Sequence, residues 1–325
     1  MAKGETMRQK IRPFEASDSE TAFGLWLAQY DLERQKNRLL PGYGQKEKGR
    51  IFRAFSERSS NAGVCVFDNA KMIGFMLTGG QFRFKSQPAV IVPEYAHAAI
   101  EDGKSEIYQL MYQELSAVWA ENKLSLHLIG HFAHDQPLTE TLFLLGFGAV
   151  LAERVTGCAP QESVSGSGLS ECFSVDSMID IEQEHRAFYP QAPTFILKDT
   201  DRDGIRADLE KSIAGGDHIF VYQEKGVPSG FFIVGESSRE EDTEGFLLRE
   251  TNSAQIKEAY LKPALRGKGI GALLLQKSKQ WAFENRFHRI FVEHETANVL
   301  GARFWSRYFS PYLYYSMRYI DPKVL

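Results

Sequence analysis

Seven residues, Arg266-Gly267-Lys268-Gly269-Ile270-Gly271-Ala272, stand between an apolar, strand-like run and the helix-like segment Leu273 to Glu284. Three glycines there let the backbone turn tightly and approach a ligand closely. The first turn of a helix leaves NH groups without intrahelical partners, and these point at an anion. Arg266 and Lys268 add mobile positive charge beside the fixed field of the helix end, which favours a diphosphate over a single carboxylate. The downstream segment is amphipathic: Ile270, Leu273, Leu274 and Trp281 fall within one arc, Gln276 and Lys279 lie away from it, and Lys277 intrudes.

Other glycine loops fit less well. The chain contains no Gly, four residues, Gly-Lys-Ser/Thr string. The strict dinucleotide pattern is absent too, and its permissive form on Gly267, Gly269 and Ala272 is separated from the strand by Pro263, Ala264, Leu265 and Arg266. The better fit is Arg-x-x-Gly-x-Gly/Ala, read on Arg266, Gly269 and Gly271. This resembles the acyl-CoA signature of the GNAT superfamily of N-acyltransferases, and the resemblance implies that the loop Arg266, Gly267, Lys268, Gly269, Ile270, Gly271 and Ala272 grips the pyrophosphate of coenzyme A. Ile256 to Pro263 resembles the family's fourth strand, Arg289 to Glu293 its fifth, and Asn298 through Phe309 the helix that opens on the family's usual asparagine. Ser316 to Ile320 reads as a last strand.

A length of 325 residues predicts about two domains. The segment Pro160 to Ser170 shows no regular apolar period and, from Gln161 to Gly168, has linker composition. The expected division is therefore 1–157, a linker at 158–170, and 171–325. The first half repeats the plan of the second. Ile11 to Phe14 and Ser17 to Leu27 read as a strand and a helix capped near Ser17, with Glu20 completing a capping box. Val64 to Phe67 with Met72 to Leu77 parallels Ile219 to Gln223 with Gly230 to Val234. Leu126 to Ile129, Asp135 and Leu142 to Phe147 can be laid over Ile290 to Glu293, Asn298 and Trp305 onward. Where the first half should carry its acyl-CoA loop, Ala98 to Tyr108 offers Glu101, Asp102 and Glu106 around the single hinge Gly103, a charge that repels pyrophosphate. The first half is expected to be a degenerate, non-catalytic GNAT-like domain. The implied fold is α/β (α+β): two tandem domains, each a mixed, largely antiparallel sheet flanked by helices.

The resemblance implies acetyl-CoA as co-substrate, with the carbonyl oxygen against a backbone NH at Leu261 and the pantetheine arm aligned by Leu261 and Lys262. Glu258 is the first candidate for general base, with Glu250 and Glu293 as competitors, since a carboxylate raised by burial or acting through water accepts an amine proton. The family's usual tyrosine acid falls on Trp305, whose indole cannot supply that proton, so Tyr308 one turn on is the candidate acid. Phe304, Trp305, Tyr308 and Phe309 read equally as an aromatic packing stripe. His127, His131 and His134 with Asp135 match no strong ligand spacing, so no metal is expected. His294, between Glu293 and Glu295, is expected to hydrogen-bond a loop.

Direct attack by an amine is favoured because Cys65, Cys158 and Cys172 lie far in sequence from the proposed site. The acidic run Glu236 to Glu244 would attract a polyamine, an aminoglycoside or a lysine amine, and reads equally as a solvated loop. The acceptor is thus a small-molecule or protein amine. A net charge of −4 argues against sequence-independent nucleic-acid binding, and no apolar run approaches membrane-spanning length. No export signal is read in Met1 to Lys10, and a reducing cytoplasm is the expectation. A second copy of the chain is admitted as a partner in a homodimer, with nothing in the sequence requiring it. The competing class is a non-catalytic acyl-CoA-binding sensor or scaffold, for which Trp305 speaks.

Overall fold

A computed structural model of the chain describes residues 9–42, 49, 53–55, 57–58, 62–159, 168–172, 174–237 and 252–325. They fall into two compact units, one made of Met1–Ala152 with Tyr312–Leu325, the other of Glu153–Pro311. Glu250, the acidic residues after Glu236 and most of the linker segment lie outside the described residues.

The first unit runs β1 (Gln9–Pro13), α1 (Ser19–Lys36), β2 (Gly63–Asp68), β3 (Lys71–Leu77), β4 (Gly80–Phe84), β5 (Gln87–Val92), β6 (His97–Ala99), α2 (Lys104–Glu121), β7 (Leu126–Phe132), α3 (Gln136–Leu144) and the start of β8 (Gly148–Gly157). Strands β1, β2, β3 and β6 form an antiparallel sheet in that order. Strand β5 pairs antiparallel with β4 and parallel with β7. The helix expected at Ser17 begins at Ser19 instead. Asp18 holds a 3-10 turn ahead of it, accepting from the Glu15 NH at 2.8 Å and bridging to Arg12 at 2.7 Å, so the carboxylate rather than the hydroxyl sets the start.

The second unit continues with β9 (Leu169–Cys172), α4 (Val175–Phe188), α5 (Arg202–Ala214), β10 (His218–Glu224), β11 (Val227–Glu236), β12 (Ser253–Leu261), α6 (Ile270–Glu284), β13 (Arg289–Glu295) and α7 (Val299–Tyr308). Strands β9 to β12 are antiparallel neighbours and β13 joins β12 in parallel. Period-two alternation gives this sheet two apolar faces. Phe220, Phe232 and Val234 face one core with Ile270 and Leu274 of α6 and Trp305 of α7. Ile219, Val221, Phe231 and Ile233 face another with Met178 and Ile181 of α4 and Ile205 of α5. Burying one such side chain contributes roughly 1.5–3 kcal/mol.

The last strand, β14 (Ser310–Tyr319), belongs from Tyr312 onward to the first unit. It pairs antiparallel with β7 over Leu313↔Phe132 to Tyr319↔Leu126. Ser316 to Ile320, read from sequence as the end of the second half, therefore completes the first unit's strands.

Candidate active site

The site grows from β12. Its pairing with β11 slips between Ile233↔Glu258 and Val234↔Ile256, leaving Lys257 as an extra residue on β12. Such a bulge re-aims the residues after it. Ile256 stays in the core formed with α6 and α7, whereas Glu258 comes opposite Ile233, on the face covered by α4. Lys257 itself forms an ion pair with Asp217 at 2.7 Å. The register of β12 with β13 runs from Ser253↔Arg289 to Ile256↔Val292, and both strands continue beyond it. Residues from Ile256 to Leu261 and from Val292 to Glu295 line a cavity of about 470 Å³.

On the face with Glu258 lies a buried polar group from α4. The Glu182 carboxylate accepts from His185 Nδ1 at 3.0 Å and from Arg186 Nε at 2.8 Å. Burial alone would raise Glu182, but these donors overcome it and hold the group below its ordinary value. Glu258 Oε2 lies 3.8 Å from His185 Nδ1. Burial first, and the Glu182 charge second, push Glu258 up to about 7. Glu293 is likewise raised to about 7 by burial and by Glu295. Glu293 is exposed, whereas Glu258 keeps 36% of its side-chain surface and has its Oε2 buried without a hydrogen-bond partner, so the walls crowd Glu258 more closely than Glu293. Glu182, His185 and Glu258 also converge closely enough to be considered as metal ligands, but Arg186 already places a cation on Glu182.

The glycine loop enters from the far end of β12. After Leu261, Pro263–Leu265 makes a 3-10 turn. Gly267 (φ 75°) and Gly269 (φ 82°) adopt left-handed conformations, and Gly269 is the N-cap of α6. Chain neighbours aside, no protein atom lies within 4 Å of where their Cβ atoms would be, so the backbone is bare towards open space. A Cβ on Gly271 would lie 3.1 Å from the Phe304 ring. Arg266 is not free-swinging: its Nε donates to the Leu261 carbonyl at 3.0 Å and its guanidinium lies over Phe188 and Tyr260.

The structure gathers most of the residues singled out in the sequence and separates a few. Arg266, Gly267, Gly269, Gly271, Ala272, Leu261, Asn298, Glu258, Glu293 and Tyr308 line the cavity. Lys262, Lys268 and Ile270 are not among its lining residues. The Lys262 NH is committed to the Ser229 carbonyl at 3.0 Å and its ammonium to Glu184 at 3.0 Å, while Ile270 is core. Asn298 caps α7, its Oδ1 accepting from the Gly301 NH at 3.0 Å. Tyr308 contacts the Phe304 ring at 5.1 Å, so it belongs both to the aromatic stripe and to the cavity wall. Trp305 is buried against Phe232. His294 accepts from Arg154 Nε at 3.0 Å, which leaves its proton on Nδ1, donated to the Glu295 carbonyl at 3.0 Å. His127, His131 and His134 take separate partners, Tyr112, Ser316 and Glu33. Sequence reading missed Glu182, His185, Tyr189, Arg303 and Arg307. The Glu-x-x-His spacing on α4, which puts 182 and 185 on one helix face, was the available signal.

Residues 178–309 match the acetyltransferase (GNAT) family. No curated protein is significantly similar to the chain in sequence. Among solved structures, a GCN5-related N-acetyltransferase from Sphaerobacter thermophilus is 12% identical with a TM-score of 0.61, covering 97% of this chain and 96% of that one. A glucosamine N-acetyltransferase region from a fungal multi-domain GH3 beta-N-acetylglucosaminidase is 10% identical with a TM-score of 0.55, covering 97% of this chain and 38% of that one. The chain therefore has the GNAT superfamily fold with a carboxyl-terminal acetyltransferase domain, and the family match supports an acyl-CoA N-acetyltransferase function. Among the described residues, no helix is long and apolar enough to cross a membrane.

Proposed function

We propose that the second unit binds acetyl-CoA along its glycine loop and transfers the acetyl group to a primary amine by direct attack, the first unit being non-catalytic and the protein cytoplasmic. One observation carries this reading. A single cavity is lined by the bare backbone of Gly267 and Gly269, by Gly271 against Phe304, by Arg266, Arg303 and Arg307, and by a carboxyl raised towards neutral pH. The bare loop suits a diphosphate and the raised carboxyl suits an amine.

Acetyl-CoA supplies an acyl carbon activated by its thioester. Glu258 takes one proton from the acceptor's ammonium, directly or through water. As the freed nitrogen bonds to the acyl carbon and the carbon–sulfur bond breaks, Tyr308 gives its phenolic proton to sulfur and recovers one from the nitrogen. The products are an amide, a free thiol and a proton on Glu258. Leu261 lines the cavity, and its backbone NH is the group proposed to receive the carbonyl oxygen. No cysteine lines the cavity among the described residues, in keeping with direct attack.

The sensor reading keeps one observation in its favour, the buried indole at Trp305. Thiol release from acetyl-CoA across a panel of amines, run beside calorimetry of CoA binding, decides between the two. Acceptor-dependent turnover supports the transferase, whereas tight CoA binding with no turnover on any amine supports the sensor.

A further inference from the structure

Two groups beside Glu258 have no part in the transfer as drawn. Glu182 and His185 of α4 are buried, and one ligating atom of each lies within 4.8 Å of the other and of a Glu258 oxygen. A carboxylate this deep is costly unless it is paired. Glu182 offsets that cost with two donors, His185 Nδ1 on Oε2 at 3.0 Å and Arg186 Nε on Oε1 at 2.8 Å. Arg186 is tied in turn to Asp208 of α5 at 2.8 Å. The His185 ring packs against Phe231 of β11 and Tyr260 of β12, at 5.6 and 5.5 Å between centroids. Two helices and the sheet thus hold Glu182 in place.

Glu258 receives neither donor. His185 Nδ1 lies 3.8 Å from its Oε2, and the Nδ1 proton is given to Glu182. Oε2 is buried without a hydrogen-bond partner. The remaining surroundings supply no cation to it: Lys257 is paired with Asp217, Ile233 opposite on β11 is apolar, and Tyr189, Glu293 and Glu295 line the same cavity. A carboxylate oxygen has two lone pairs, and each Glu182 oxygen has spent one. A buried oxygen without a donor, beside a carboxylate with acceptor capacity to spare, is the arrangement of an acid–carboxylate pair waiting for its proton. Burial first, then the Glu182 charge and hydrogen bonding to Glu182, favour protonated Glu258, while the His185 and Arg186 charges oppose it.

We infer that Glu182 is a positioning residue for the proton transfer: pinned by His185 and Arg186, it accepts a hydrogen bond from Glu258 once Glu258 has taken a proton from the acceptor amine. This rests on the acetyl-transfer reading, in which Glu258 is the base. The N–H bond breaks with its electron pair left on nitrogen, an O–H bond forms on Glu258, and that hydrogen points at a Glu182 oxygen. Two facing negative charges become one, which is what makes Glu258 a strong enough base. Loss of the proton to water after the amide leaves restores the pair.

The test uses the full chain and reads Glu258 directly, as the infrared carbonyl band of a protonated carboxyl group followed against pH. Wild type should show a band that disappears as pH rises through about 7 and is missing in E258Q; Glu293, also raised to about 7, remains in both and subtracts out. In E182Q, where Arg186 keeps Asp208, the band should titrate about one pH unit lower, a tenfold weaker base, while calorimetric CoA binding reports that the fold is intact. If E182Q does not bind CoA, E182D, which keeps the charge and shortens the reach, takes its place with a smaller downward move. The kinetic arm uses acetyl-CoA and the primary amine that turns over fastest in the thiol-release panel. There the acid limb of kcat/KM should move down with the band, and E182Q added to E258Q should cost nothing further. A merely structural residue would add its loss in both backgrounds. An unmoved band or an additive loss would overturn the inference and leave acetyl transfer standing. If no amine turns over, the band alone decides: a shift keeps the paired carboxyls while the transfer reading fails, and no shift removes both.

Discussion

Two helices in this molecule begin in the same way and meet different surroundings. Helix α2 in the first unit and α6 in the second each take a glycine N-cap in the left-handed region, Gly103 at φ 67° and Gly269 at φ 82°, with no side-chain cap. In the first unit the following residue, Lys104, folds its ammonium into the protein and pairs with Glu101 at 2.6 Å and Asp135 at 2.9 Å. In the second, the corresponding turn faces open space. Asp135 and Asn298 likewise cap the helices after β7 and β13, each accepting from the NH three residues on. Asp135 is also spent on Lys104. The backbone device is shared, and what differs is that the first turn is filled by the chain's own Lys104 while the second is left open.

The comparison can be broken at six positions. Glu258→Gln should lower kcat by about 10²–10⁴-fold, the usual worth of a positioned base. Because the active form is the carboxylate and burial raises it to about 7, kcat/KM should fall as pH drops through about 7. In Glu182→Gln the repelling charge is gone, and that limb should move to lower pH. A pH profile in which E258Q keeps the wild-type limb would remove Glu258 from its role.

Lys104→Met should cost about 3–5 kcal/mol in denaturant unfolding, because Asp135 is left buried without its cation. CoA affinity should not change, and a parallel loss of CoA binding would refute the self-filled reading of the first unit. Gly269→Val should weaken CoA binding about 100-fold, ~2.8 kcal/mol by calorimetry, since a β-branched residue is strained at that φ and covers the bare backbone. Gly103→Ala, by contrast, should cost about 1 kcal/mol of stability with CoA affinity intact. A smaller loss of turnover than at Glu258 is expected for Tyr308→Phe, roughly tenfold in kcat, below the usual range for a positioned acid because a thiolate is a weak base that water can also protonate. An unchanged rate would leave Tyr308 to the aromatic stripe alone.

What the sequence made legible was local. The glycine turn before α6, the asparagine cap of α7 and the hairpin-like pairs β2–β3 and β10–β11 are each specified by residues within one turn or strand. Partnerships across the chain were not legible. Glu258 meets Glu182 and His185, more than seventy positions earlier, only because the bulge at Lys257 turns it to the α4 face. Arg266 looked mobile because nothing in its neighbours reveals that the Leu261 carbonyl waits five residues back. Strand β14 reads as a strand from its own pattern, but its partner β7 lies nearly two hundred residues away.

That last pairing has a consequence for the order in which the protein can be made. Residues 126–132 leave the ribosome well before residues 312–319, so β7 gains its β14 neighbour only when the later segment has been synthesised. The unit that is begun earlier is thus completed later than its neighbour, and until then β7 lacks the hydrogen bonds that β14 supplies. Cutting the chain just before Tyr312 would injure the half of the molecule most distant in sequence from the cut.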